Sequence, residues 1–124
     1  MDAPNELPSL LLVDDDALIL RALGRQLARR FTLRTALGAE SAIRALEESS
    51  EIDALVFDMQ MPPVDGPILF ARVMARWPHL RARSAVATGA PDADDVVEFA
   101  HREGIVVFDK NGLAAQIQAW VSRR

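Results

Sequence analysis

The chain alternates short, continuously apolar runs with stretches whose apolar positions recur every three or four residues. Leu10-Leu11-Leu12-Val13, Ala54-Leu55-Val56-Phe57, residues 84–88 and Ile105-Val106-Val107-Phe108 are the runs, and each reads as a strand covered on both faces. Residues 31–35 form a weaker, alternating strand. Residues 17–30 carry Leu20, Leu23 and Leu27 on one helical stripe with arginines elsewhere, and residues 38–49 carry Ala42, Ile43 and Leu46 at helical spacing. Pro67 suits the first turn of a helix running to about Trp77. Asp92, Asp94 and Asp95 suit the positive N-terminus of a helix reaching Arg102. Asn111 is the expected cap of a last helix ending near Trp120. Adjacent prolines and a glycine make residues 61–66 a loop.

Strand followed by helix, five times over, predicts an α/β fold: a three-layer arrangement with a five-stranded parallel sheet and five helices, joined by right-handed crossovers. Open sheets of this kind bind ligands beyond the carboxyl ends of the strands, where the strand order reverses. For the order 2-1-3-4-5 that crevice lies between the first and third strands.

Composition narrows the picture. The 124 residues suit one compact domain, and the half that are hydrophobic suffice for a core. Net charge is −4, and Arg21, Arg25, Arg29 and Arg30 are spread along the first helical stretch, so nucleic-acid binding by this chain is not expected. The absence of cysteine excludes disulfides, thiol catalysis and Cys-ligated zinc, and agrees with a cytoplasmic location. No apolar run approaches the roughly 18 residues of a membrane span. Residues 1–8, polar and with two prolines, read as a disordered lead-in without a signal-peptide layout, which leaves residues 9–122 as the domain.

The residues at the expected strand ends are chemically selective. The first strand ends in Asp14-Asp15-Asp16, the third in Asp58, the fourth in Thr88 and the fifth in Asp109-Lys110; the second ends in Thr35-Ala36. Two like charges 4 Å apart repel by about 4 kcal/mol at an effective dielectric near 20, so such a carboxylate cluster either binds a cation or holds a proton. Oxygen donors without Cys or a nearby His point to Mg²⁺ or a similar hard ion. A carboxylate, a divalent cation, a lysine and a hydroxyl together suit phosphoryl transfer onto the carboxylate. Each residue alone has an ordinary reading: Asp16 as a helix N-cap, Asp58 as a turn residue, Thr88 as a satisfied hydroxyl, Lys110 as a surface lysine. His79 and His101 read as surface histidines, Asp65-Gly66 as turn chemistry, and Trp77 and Trp120 as partly buried packing residues.

Leu-Leu-Val-Asp-Asp-Asp (11–16), Asp-Met-Gln-Met-Pro-Pro-Val-Asp-Gly (58–66), Ala-Thr-Gly (87–89) and Asp109-Lys110 fall in an order and spacing that resembles the receiver domain of two-component response regulators. The resemblance spans about residues 9–122 and implies a flavodoxin-like, CheY-like fold. By position it implies that Asp58 is the phosphoacceptor, that Asp15 ligates Mg²⁺ directly, that Asp14 holds a metal-bound water, and that Gln60 offers its backbone carbonyl to the metal. Thr88 would hydrogen-bond a phosphoryl oxygen. Lys110 would pair with Asp58 before phosphorylation and with the phosphoryl group after it. The implied function is a phosphorelay switch rather than an enzyme. The implied partners are a histidine kinase or phosphotransfer protein upstream and, downstream, a protein or effector domain outside this chain. The pattern also leaves room for a homodimer through the last two helical units.

The chain departs from the family at Asn111, where proline is usual, at Val107, where an aromatic switch residue is usual, and at Gly89, where alanine is common. The segment from Gly104 to Lys110 looks one residue short, so either the register slips to give Phe108 the aromatic role or the switch is absent. Two rival readings follow: a degenerate receiver that works as a phosphorylation-independent interaction module, and a Mg²⁺-dependent phosphatase with an aspartate nucleophile.

Overall fold

The computed structural model describes residues 7–49 and 51–122. Residues 1–6 of the expected disordered lead-in lie outside the described residues; Leu7 and Pro8 lie outside any helix or strand. The strands are β1 (Ser9–Asp14), β2 (Thr32–Leu37), β3 (Ala54–Asp58), β4 (Ser84–Thr88) and β5 (Val106–Asp109). The helices are α1 (Ala17–Leu27), α2 (Ala39–Glu48), α3 (Gly66–Arg76), α4 (Asp94–Glu103) and α5 (Leu113–Ser122). All strand pairs are parallel, in the order β2-β1-β3-β4-β5, so the expected topology is the observed one.

Alternation along the strands sends successive side chains to two separate cores. Leu10, Leu12, Val56, Ala85 and Phe108 pack with Leu20, Leu23 and Leu27 of α1 and Leu113 and Ile117 of α5. Leu11, Val13, Leu55, Phe57 and Val86 pack with α2, α3 and α4. Full burial of side chains of this size contributes roughly 1.5–3 kcal/mol each. Three phenylalanines fix the middle of the second core: Phe57 stacks on Phe70 with centroids 5.6 Å apart, and Phe99 meets both edge-on at 6.2 and 5.9 Å. The residue before Asp58 is thereby clamped against α3 and α4.

Local chemistry moves several boundaries. α1 stops at Leu27, so Arg29 and Arg30 lie in the turn after it, and β2 runs on to Leu37 through its pairing of Asp14 with Leu37. Pro78 opens a 3₁₀ helix, Pro78–Arg83, that the apolar pattern did not announce. Asp92 stays in the turn before α4, whose first-turn acids are Asp94 and Asp95. Asn111 is not the cap of α5, because the left-handed Gly112 at φ +75° separates it from the helix. β5 pairs Val86 with Val107 and Ala87 with Phe108. Phe108 therefore faces α1 and α5, edge-on to Trp120 at 5.3 Å, and half-buried Val107 faces the α4 side.

Candidate functional site

The carboxyl ends of β1, β3, β4 and β5 form one crevice because the order reverses between β1 and β3. Asp14, Asp15 and Asp58 each place a carboxylate oxygen within 4.8 Å of the others. Asp14 and Asp58 are buried, at 5% and 6% exposure, while Asp15 is open to solvent. Lys110 Nζ lies between the two buried members, 2.9 Å from Asp14 Oδ2 and 3.1 Å from Asp58 Oδ2. Thr88 is buried beside them, and its hydroxyl oxygen accepts the Ala90 N–H at 3.1 Å. The Lys110 N–H donates to the Thr88 carbonyl at 2.9 Å, which ties the last two members together through the backbone.

Backbone donors orient the carboxylates. Asp14 Oδ1 accepts the Asp16 N–H at 3.0 Å, and Asp58 Oδ1 accepts the Gln60 N–H at 3.3 Å. Asp16 turns away from the cluster and caps α1, accepting from the N–H groups of Leu18 and Ile19. Gln60 is exposed in the loop, and Gly66 closes that loop from its far side, donating its N–H to the Met59 carbonyl at 2.9 Å. Asp65 serves the same loop by accepting the Met61 N–H at 3.0 Å.

Three carboxylates against one ammonium leave the pocket net negative. Burial pushes the Asp58 carboxyl above its ordinary range; the Lys110 hydrogen bond opposes this and the Asp14 charge adds to it. Burial works against the Lys110 charge, but hydrogen bonds to Asp14 and Asp58 outweigh it and raise the ammonium above its ordinary value. The all-oxygen donor set and unbalanced negative charge fit a small hard cation such as Mg²⁺. Asp58 then has what a nucleophilic carboxylate needs: a fixed orientation, little surrounding water, and a lysine to balance charge on its target.

The structure thus brings Asp14, Asp15, Asp58, Thr88 and Lys110 to one sheet edge, with the Gln60 backbone at its rim. His79 and His101 are exposed and far outside that constellation in sequence and element. Gly66, which the sequence marks as turn chemistry and as the end of the 58–66 motif, matters through a close approach that only the folded loop creates. Gln116 has a part in the site's geometry that carries no sequence signal: it contacts the loop carrying Lys110, and a glutamine one turn inside a helix is otherwise unremarked.

The response regulator receiver domain model matches residues 10–120. The chain is 34% identical over 86 residues to the transcriptional regulatory protein GlrR of Escherichia coli, a match covering 68% of this chain and 19% of that protein. It therefore spans about a fifth of the length of that relative. It is 27% identical over 81 residues to the chemotaxis protein CheY of Listeria monocytogenes, covering 64% of this chain and 68% of that one. Among solved structures, a response regulator receiver protein from Pseudomonas putida aligns with a TM-score of 0.82 at 26% identity, covering 96% of this chain and 98% of that one. The signal receiver domain of an HD domain-containing protein from Pseudomonas fluorescens aligns with a TM-score of 0.81 at 28% identity, covering 95% and 94%.

Proposed function

The chain belongs to the response regulator receiver domain family, and from that premise we propose that it accepts a phosphoryl group on Asp58 in a Mg²⁺-dependent reaction and signals by a change of conformation. The observation that carries this reading is the placement of Lys110 Nζ between Asp14 and Asp58, with both carboxylates buried at the sheet edge. Receiver domains of response regulators interact with histidine kinases and with output domains. For this chain the donor is a histidine kinase or phosphotransfer protein, and the output goes to another protein or to an effector segment. The domain is residues 9–122, working in the cytoplasm.

In the proposed reaction an Asp58 carboxylate oxygen attacks the phosphorus of the donor's phosphoimidazole. The new P–O bond forms as the P–N bond breaks, and the imidazole leaves with the bonding electron pair and is protonated by solvent. Asp14, Asp15, Asp58 and the Gln60 carbonyl would hold Mg²⁺, with Asp14 acting through a bound water. When bound, the ion neutralises charge on the transferring oxygens. Lys110 moves from the carboxylate to a phosphoryl oxygen, and Thr88 donates its hydroxyl hydrogen to another. Each exchange replaces one set of charge-assisted hydrogen bonds by another, which is how a local charge biases a two-state segment.

The test is incubation with Mg²⁺ and either acetyl phosphate or beryllofluoride, read by intact mass and by Trp fluorescence, with Asp58→Asn as control. A phosphoryl adduct of the wild type that is absent from the control is the expected result. No adduct and no fluorescence change with either reagent overturns the reading in favour of a phosphorylation-independent interaction module.

A further inference from the structure

Lys110 opens the three-residue loop between β5 and α5, residues 110–112, which contains no proline and ends in a glycine with φ +75°. Such a segment has little intrinsic stiffness. One side chain from outside the loop nevertheless binds it at several points. Gln116 Oε1 accepts the Asp109 N–H at 3.1 Å. Gln116 Nε2 donates to the carbonyls of Asp109 at 2.8 Å, Asn111 at 3.2 Å and Gly112 at 3.1 Å, three acceptors sharing two hydrogens. From the end of β5, Asp109 Oδ1 accepts the Asn111 N–H at 2.9 Å.

These contacts do not have the form of a helix cap. The start of a helix needs acceptors for its free N–H groups. Gln116 instead donates to carbonyls upstream of α5, and the one N–H it accepts belongs to β5. The residues on both sides of Lys110 are thereby held, while the Lys110 N–H is pinned to the Thr88 carbonyl at 2.9 Å.

We propose that Gln116 is a positioning residue for Lys110: it clasps the loop so that the ammonium is presented to the Asp14–Asp58 pair and, on phosphorylation, to the phosphoryl group. The inference rests on the phosphoacceptor reading of Asp58 for its functional half. The positional half concerns only this chain's own atoms. The clasp acts on Lys110 and not on the carboxylates, so its loss separates two affinities that a general loss of structure lowers together.

The test uses the full chain. Gln116→Ala is expected to weaken beryllofluoride binding at saturating Mg²⁺ by about tenfold, the scale of one or two net hydrogen bonds. Mg²⁺ affinity is expected to hold or to rise, because a competing ammonium is loosened. Gln116→Glu keeps the acceptor for Asp109 but sets a carboxylate against three carbonyls, and it is expected to follow the alanine variant. In a Lys110→Ala background the Gln116→Ala effect is expected to vanish. Without metal, the Lys110 ammonium ¹H–¹⁵N signal is expected to be visible in the wild type and broadened by exchange in Gln116→Ala. An unchanged ammonium signal overturns the positioning claim whatever the ligand data say. So does a parallel fall in both affinities, or an equal Gln116→Ala effect with and without Lys110. Failure of the wild type to bind beryllofluoride overturns the phosphoacceptor reading instead, and the ammonium signal then decides the clasp.

Discussion

A β-carbon added to Gly66 would lie 2.4 Å from the backbone carbonyl oxygen of Asp58 and 3.1 Å from the Met59 Cα and carbonyl oxygen. The obstacle is backbone, and it includes the residue proposed to be phosphorylated, so it has no flexible end to move aside. Gly66→Ala is expected to destabilise the domain by about 3 kcal/mol, the upper end for overpacking. It is also expected to slow phosphorylation of whatever fraction stays folded, because the loop after Asp58 must shift. Urea unfolding and acetyl phosphate kinetics measure the two; a variant as stable and as reactive as the wild type contradicts the close approach.

Adjacent members of the aspartate triplet are expected to separate stability from metal binding. Asp16 caps α1, and Asp16→Ala is expected to cost about 1 kcal/mol with no loss of Mg²⁺ affinity. Asp15 is exposed and its carboxylate belongs to the acidic cluster. Asp15→Asn is expected to lower Mg²⁺ affinity while leaving metal-free stability within about 0.5 kcal/mol. Chemical denaturation paired with Mg²⁺ titration reads both, and equal metal affinity in Asp15→Asn and wild type contradicts the assignment.

Asp58 sets a pH dependence whose sign follows from burial. Its folded-state carboxyl is raised above the ordinary value of 3.8, so the folded protein binds its proton more tightly than the unfolded chain does. Charged Asp58 therefore lowers stability above its folded pKa, and that cost is relieved as pH falls through the folded value toward 3.8. In EDTA, the stability advantage of Asp58→Asn over wild type is expected to grow with rising pH across that window and then level off. Mg²⁺ at a hundredfold excess over its Kd is expected to add about 2.7 kcal/mol to the wild type and far less to the variant. Thermal unfolding of both proteins across acid pH, with and without Mg²⁺, shows whether the curves diverge as stated.

Arg81 links the 3₁₀ helix to the end of α4, bonding the Glu103 carbonyl at 2.6 Å and its carboxylate at 3.2 Å. The Arg81 hydrogen bond holds the Glu103 carboxyl below the usual value of 4.5. The stabilisation is therefore complete above about 4.5 and is lost as pH falls through the lower folded value. Half of the Arg81 side chain is exposed, so Arg81→Ala is expected to cost only about 1 kcal/mol near neutral pH. The cost should shrink in acid and in high salt. A cost independent of both would assign the effect to the contacts that do not titrate, the Glu103 carbonyl and the Phe70 ring 5.3 Å under the guanidinium.

The strand-and-helix order was legible because every buried strand here is a run of apolar residues with no polar interruption, as in Leu10 to Val13 and Ala54 to Phe57. Asp14, Asp58, Thr88 and Lys110 could be brought together on paper because each stands at or just past the end of such a run. Asn111 as the cap of α5 was misread because Gly112, not Asn111, precedes the helix in a left-handed conformation. The place of Phe108 depended on a one-residue register that only the pairing with β4 fixes. The 3₁₀ helix after Trp77 has no apolar period of its own; Leu80 is its one buried residue. Gln116 was invisible for a related reason, since its partners are carbonyls, which every residue has.

Neighbours in the crevice are strangers in the chain. Asp14 and Asp58 end the adjacent strands β1 and β3, and Lys110 follows β5, which joins the sheet beside β4 only when the fourth crossover has closed; β5 is the last strand in chain order and sits at the sheet's edge. Parallel pairings of this kind form slowly, because each closes a long loop before it gains a contact. A chain folded only as far as β4 has its carboxylates but no ammonium between them. Competence and completion therefore arrive together: during synthesis or refolding, the crevice acquires its full charge pattern in the same step that docks the final strand.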